Sequence, residues 1–273
     1  MSRKTSKETP GPIPAPGVID SHCHLQSLEE GEREAAMDRA RERGVTGFLI
    51  PAIKLSEAED LLAFCHRHDD VWCALGTHPH EAETWRPGDR ERLRGLLADP
   101  KAVAVGECGL DFYYDNAPRE AQIVAMREQW ELAIELDLPV VVHNRESNEA
   151  MLEEVERREF EGLKADFHSF AGGLAMAERL VAKDHYLGMT GMVTFRRADN
   201  VREVLPIVPR GRLLVETDTP YLAPVPYRGK PNEPAWVVEI LVRVAEELGV
   251  EAAALAAETT ANFFRLFPKA RRG

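Results

Sequence analysis

From Val18 onward, short apolar or β-branched runs alternate with longer stretches in which apolar residues recur at helical spacing. Eight candidate strands emerge, ending near Asp20 (VID), Pro51 (GFLIP), Gly76 (VWCALG), Glu107 (AVAVGE), His143 (PVVVH), His168 (KADFH), Met189 (YLGM) and Asp218 (LLVETD). Strands this apolar, with helices between them, read as a parallel sheet buried on both faces. The clearest helix is expected from Arg119 to Leu136, where Ile123, Met126, Trp130, Ala133, Ile134 and Leu136 fall mostly on one side. Pro118 is placed at its first helical position and Glu120 in its first turn. Residues 233–248 and 251–267 read as closing helices.

Eight alternations suggest a closed TIM-like (β/α)8 barrel, with an open doubly wound sheet as the competing α/β architecture. The polar residues separate the two. Potential metal ligands stand at the ends of the first, fourth, fifth, sixth and eighth strands. An open sheet would spread these along a line, whereas closure brings the first and eighth strands together and makes one site.

A chain of 273 residues, 44% hydrophobic, is long enough for one such core, so a single barrel domain is expected over residues 18–273. Residues 1–17 are polar and proline-rich and read as a disordered tail. The tail has no apolar stretch of the kind a secretory signal needs, and no run approaches the roughly 18 apolar residues of a membrane span. Cys23, Cys65, Cys73 and Cys108 are irregularly spaced and read as reduced thiols, which with the foregoing gives a cytoplasmic expectation. Acidic residues outnumber basic ones, 46 to 34, for a formal charge of −12. That argues against a broad basic face for duplex nucleic acid; a polyanion would have to be received locally, and bound divalent cations reverse the sign of a site.

His22 and His24, in D-S-H-C-H, are two residues apart at a strand end, so both imidazoles face one way and Cys23 the other, into packing. Alone, the pair reads equally well as two hydrogen-bonded surface histidines. Glu107 follows an apolar run and must be paired, protonated or metal-bound. Its two oxygens suit bridging two cations about 3.5–4 Å apart, the bland alternative being a salt bridge across the barrel mouth. Asp111, in the same G-E-C-G-L-D run, is expected to orient a loop or ligand. His143 and His168 each close an apolar strand; singly they read as core histidines, but together with the first pair they make a site. Asp218 supplies a second carboxylate, with Glu216 two residues earlier as a supporting partner deeper in the barrel. Four imidazoles favour zinc, nickel, iron or manganese over magnesium. His66, His68 and His185 are placed on the surface, and His78 and His80, in G-T-H-P-H, at the functional face as substrate contacts.

Taken together, D-S-H-C-H, G-T-H-P-H, G-E-C-G-L-D-F-Y-Y-D, P-V-V-V-H-N-R, F-H-S-F, E-T-D-T-P-Y-L and R-G-K-P-N-E-P resemble the TatD family of metal-dependent deoxyribonucleases, over about residues 18–267. The resemblance implies a TIM barrel of the metal-dependent hydrolase superfamily. It also implies two divalent ions (Mg, Mn or Zn): His22, His24 and Asp218 on the first, His143 and His168 on the second, Glu107 bridging. The implied activity is 3′–5′ exonucleolytic cleavage of single-stranded DNA. H-N-R stands where H-S-R or H-C-R is commoner, a departure that leaves the ligands intact and bears on substrate choice.

The expected chemistry has Asp218 accept a proton from water while the ions polarise the phosphoester. Arg145 and Arg228, with His78, are expected to hold phosphate oxygens, the alternative being structural arginines. Phe112, Tyr113 and Tyr114 would stack a terminal base or pack as a lid. The same centre could cleave a carboxylic ester such as D-aminoacyl-tRNA, or a small phosphodiester, and a non-catalytic metal-binding scaffold is the alternative from another class. The sequence leaves the oligomeric state open.

Overall fold

The computed structural model describes residues 11–14 and 17–271. Eight strands pair in parallel in chain order: β1 (Val18–Asp20), β2 (Val45–Pro51), β3 (Val71–Leu75), β4 (Ala102–Asp111), β5 (Val140–Arg145), β6 (Ala165–Phe167), β7 (Tyr186–Met189) and β8 (Leu213–Val215). The seam between β8 and β1 is closed just beyond the strands. There Ser21 N–H donates to the Val215 carbonyl (3.2 Å), Asp218 N–H to that of His22 (2.9 Å) and His24 N–H to that of Thr219 (2.8 Å). The Asp20 carboxylate also accepts the Thr217 N–H (2.8 Å) and hydroxyl (2.6 Å). These bonds tie the first and last candidate ligand segments to each other, as the barrel reading requires.

Period-two alternation divides the strands between two cores. Val140, Val142, Leu213 and Val215 belong to the large cluster shared with the surrounding helices. Val141 and Leu214, one residue out of phase, join Ile19 and Leu49 in a second cluster with Phe263, Leu266 and Phe267 near the end of the chain. His143 and Glu216 lie two residues beyond Val141 and Leu214, so each continues the inner face towards the mouth.

Three expectations shift in detail. β4 runs on to Asp111 rather than ending at Glu107, because Gly109 (φ 150°) lets it lie flush against β5; a Cβ there would overlap the His143 carbonyl oxygen. The long helix is Arg119–Glu135, and Pro118 caps it from an extended conformation (ψ 139°) instead of forming its first turn. The closing helices are Val237–Leu248, entered through a 3-10 turn, and Ala252–Leu266.

Of the tail expected over residues 1–17, residues 1–10, 15 and 16 lie outside the described residues. Ile13 is buried in the main cluster, and its N–H donates to the Arg43 carbonyl (2.9 Å). Thr260 donates its hydroxyl to the Gly17 carbonyl (3.2 Å). An isoleucine among prolines has apolar surface to bury, and packing accordingly begins before Val18. Among the described residues, no helix is long and apolar enough to cross a membrane. All four cysteines are free and buried.

Candidate metal centre

Glu107 stands at the middle of the barrel mouth, and its two oxygens face different histidines. Oε1 lies 2.9 Å from His143 Nδ1 and 2.8 Å from His168 Nε2; Oε2 lies 3.3 Å from His22 Nε2 and 3.6 Å from His24 Nε2. Asp218 Oδ1 closes the second group at 3.5 Å from His24 Nε2 and 3.9 Å from His22 Nε2. All six residues expected as ligands therefore converge, although they come from five strand ends.

Such crowding is unfavourable for imidazoles alone. The His22 and His168 rings stack with centroids 3.8 Å apart, and the Nε2 atoms of His22 and His24 are 3.2 Å apart. Protonating all of them would place several positive charges within contact distance, and leaving them neutral aims lone pairs at one another. Glu107 Oε2 is buried with no hydrogen-bond donor. Cations between these atoms resolve both problems, so the donor set fits divalent metal. Burial by itself would lift the Glu107 carboxyl, but His168, His22 and His78 hold it well below the usual carboxylate range. The Asp218 carboxyl is pushed up to about 6, chiefly by burial, with His168 and His22 opposing. Its backbone sits in the left-handed region (φ 57°), as does Ser169 (φ 48°) next to His168, a costly conformation that collects at functional sites.

Supporting contacts hold the candidate ligands in place. Glu216 lies below His168, accepts the Ser169 N–H (2.6 Å) and the Ser21 hydroxyl (3.2 Å), and comes within 3.6 Å of His168 Nδ1. Asp111 accepts the N–H groups of Tyr113 (3.0 Å) and Tyr114 (2.9 Å), and its Oδ2 meets His143 Nε2 (3.0 Å) and His80 Nε2 (2.9 Å). It thus orients both a loop and a candidate ligand, the role expected for it.

Two buried glutamines escaped the sequence reading. Gln129 accepts the Thr77 N–H (2.8 Å) and donates to the Thr77 carbonyl (3.2 Å), while Gln122 does the same for Asp111 (2.8 and 3.1 Å). They lie seven residues apart on one face of the helix Arg119–Glu135, so polar residues inside an inward-facing stripe were the available signal. Gln26 donates to the Pro51 carbonyl (2.7 Å) and sits 3.4 Å from His24 Nδ1, steadying that ring.

The remaining expectations divide. His78, expected as a substrate contact, lines the cleft with Nε2 3.5 Å from Glu107 Oε1; burial lowers its imidazole to about 4. Arg145 lines the cleft, about 870 Å³ in volume, and its guanidinium rests 4.4 and 4.6 Å from the rings of Tyr113 and Tyr114, both exposed. Phe112 is instead packed against the main core. Arg228, also expected to hold phosphate oxygens, is not among the residues lining the cleft: its guanidinium stacks 3.7 Å over Phe195. Tyr221, which sequence reasoning passed over, is exposed in the cleft with its ring 6.3 Å from that of His24. His66 is exposed and pairs with Asp99, and His68, partly covered, pairs with Glu34. His185 is buried against Phe167, not on the surface, and burial lowers it to about 4.

Known proteins resemble this chain over nearly its whole length. The family model described as TatD related DNase matches residues 19–268. The 3′-5′ ssDNA/RNA exonuclease TatD of Cronobacter sakazakii is 40% identical over 258 residues, 92% of this chain and 98% of that protein. YabD of Bacillus subtilis, described as an uncharacterized metal-dependent hydrolase, is 32% identical over 251 residues, again covering 92% and 98%. The crystal structure of YJJV, a TatD homologue from Escherichia coli K12, superposes with a TM-score of 0.86 at 31% identity, covering 92% of this chain and 98% of that one. With the eight-stranded barrel and the convergent histidines and carboxylates already in view, these matches establish that the chain belongs to the TatD related DNase family.

Proposed function

We propose that this chain is a dinuclear metal-dependent phosphodiesterase that removes nucleotides from the 3′ end of single-stranded DNA. The observation that carries the reading is the division of Glu107 between its two oxygens, Oε2 turned towards His22 and His24 and Oε1 towards His143 and His168, with His78 at 3.5 Å. His22, His24 and Asp218 would hold one ion, His143 and His168 the other, and Glu107 both. Magnesium, manganese and zinc are the candidate ions, and the four imidazoles favour the latter two in protein as isolated. Bound divalent ions would supply Lewis acidity towards phosphoryl oxygens and activate water at neutral pH.

The chain's own groups do the rest. Asp218, the more exposed of the two carboxylates at the centre, accepts the proton from the attacking water. Asp111 fixes the ring of His143, and Glu216 holds the backbone next to His168 through the Ser169 N–H. Arg145, on the cleft wall with its guanidinium against the rings of Tyr113 and Tyr114, meets a phosphate. The name borne by the Cronobacter relative, 3′-5′ ssDNA/RNA exonuclease, supports a single-stranded nucleic acid and the direction of cleavage.

The test is a metal titration of turnover on 5′-labelled single strands, with elemental analysis of wild type and Glu107→Ala. The expected result is shortening from the 3′ end, two ions per wild-type chain, and loss of metal from both positions in the variant. A Glu107→Ala protein still carrying two ions removes the bridge, and a metal-loaded wild type inert on every phosphodiester overturns the reading.

A further inference from the structure

The loops after β7 and β8 form one continuous rim beside the cleft. Gly191 lies so close to the Leu222 carbonyl that a Cβ would overlap it; Val225 N–H donates to the Thr194 hydroxyl (2.9 Å), and Arg228 stacks on Phe195. Met192 and Tyr221 carry the same two loops into the cleft itself.

The charge of this rim is unlike that of the rest of the molecule. On the barrel's flank, arginines are matched to carboxylates, as in Arg92–Glu59 (2.9 Å), Arg127–Glu154 (2.6 Å) and Arg179–Glu156 (2.6 Å). On the rim, Arg196, Arg197, Arg228 and Lys230 are all exposed, and none forms an ion pair with a described residue. Asp199, the only acid in residues 195–202, is taken by Arg202, and residues 219–232 contain no acid at all. A protein of net charge −12 thus concentrates uncompensated positive charge along one edge of its cleft. Like charges gathered without counter-charges repel one another, and a polyanion relieves them.

We propose that this rim is a second contact surface, which receives phosphates of a single nucleic-acid strand beyond the reacting nucleotide; this rests on the phosphodiesterase reading above. Tyr221, between the metal ligands and the rim, offers an exposed ring face to a base. Stacking of that kind needs an unpaired base, so the rim and Tyr221 together select single strands by shape and charge rather than by sequence. Arg228, set back from the metal ligands, acts here and not on the scissile phosphate.

The test compares wild type with Arg196→Ala/Arg197→Ala, both metal-loaded, on bis(p-nitrophenyl) phosphate, a dinucleotide and a single-stranded 15-mer. Binding of a labelled 15-mer is followed in parallel by fluorescence anisotropy across a salt series. The small substrates should be turned over equally by both proteins. On the 15-mer, kcat/KM of the variant should fall by roughly 10- to 100-fold, and the log–log salt slope of its affinity should shrink by about 1.4, two lost single-strand contacts at ~0.7 each. A variant with wild-type length dependence and salt slope overturns the rim. Failure of both proteins on all three substrates would instead overturn the phosphodiesterase reading, and the anisotropy series still decides whether the rim holds a strand.

Discussion

Asp218 is assigned two tasks, holding an ion and taking a proton, and one substitution separates them. Asparagine keeps the size and one coordinating oxygen but does not accept a proton from water at neutral pH. In Asp218→Asn, the histidines and Glu107 should retain much of the metal while turnover falls by about 10²–10⁴-fold, and an uncleaved oligonucleotide should still bind. Single-turnover kinetics alongside elemental analysis distinguish this from simple ligand loss, in which activity returns as metal is added. Near-normal turnover in a fully metallated Asp218→Asn protein would move the base elsewhere at the mouth. The neighbouring Asp20 shows why the position is so well held. Its buried carboxyl, pushed up to about 8 chiefly by desolvation, accepts two hydrogen bonds from Thr217 and so fixes the residue just before Asp218.

At the scale of elements, the strands and the six convergent side chains were legible because each candidate ligand lies at the end of an apolar run, where a buried polar group needs a reason. What was not legible depended on contacts between segments distant in sequence. Nothing local to Arg228 announces Phe195 as its partner, and nothing near His185 says that Phe167 will cover it. Ile13 was passed over because its neighbours are prolines and glycines, although its own side chain is a core residue. The extension of β4 was hidden for the opposite reason: the apolar run stops at Glu107, whereas Gly109 is what permits the strand to continue beside β5. Gly109→Ala should therefore force the two strands apart between Glu107 and His143. A positive φ and an overlap with backbone together cost about 2–5 kcal/mol. Urea unfolding should show a lower midpoint, with metal content reduced in the folded fraction. An unchanged midpoint would mean that β4 and β5 tolerate a side chain between them.

For the whole molecule, the candidate centre is also the place where the barrel's ends meet. Its candidate ligands come from β1, β4, β5, β6 and β8, or from the residues immediately beyond them, and the β1–β8 seam is held by a handful of hydrogen bonds outside the strands themselves. Ions bound there would tie the seam to the opposite wall through Glu107, and the unfolded chain, with these ligands scattered over nearly 200 residues, would have no comparable affinity. Binding to the native state alone stabilises it by RT ln(1 + [L]/Kd), about 2.7 kcal/mol at a hundredfold excess over Kd. For a domain of this size that corresponds to a rise of roughly 5–10 °C in the thermal midpoint. Removing the metal with a chelator should lower the midpoint by that amount and readdition should restore it. Glu107→Ala should start lower and respond less, because one residue serves both ions. Calorimetric scans of the wild type with and without chelator, repeated on the variant, check this. Equal midpoints in all four scans would show that the convergent histidines and carboxylates do not bind metal strongly enough to couple it to folding, leaving the crowding of their rings to be balanced by protons instead.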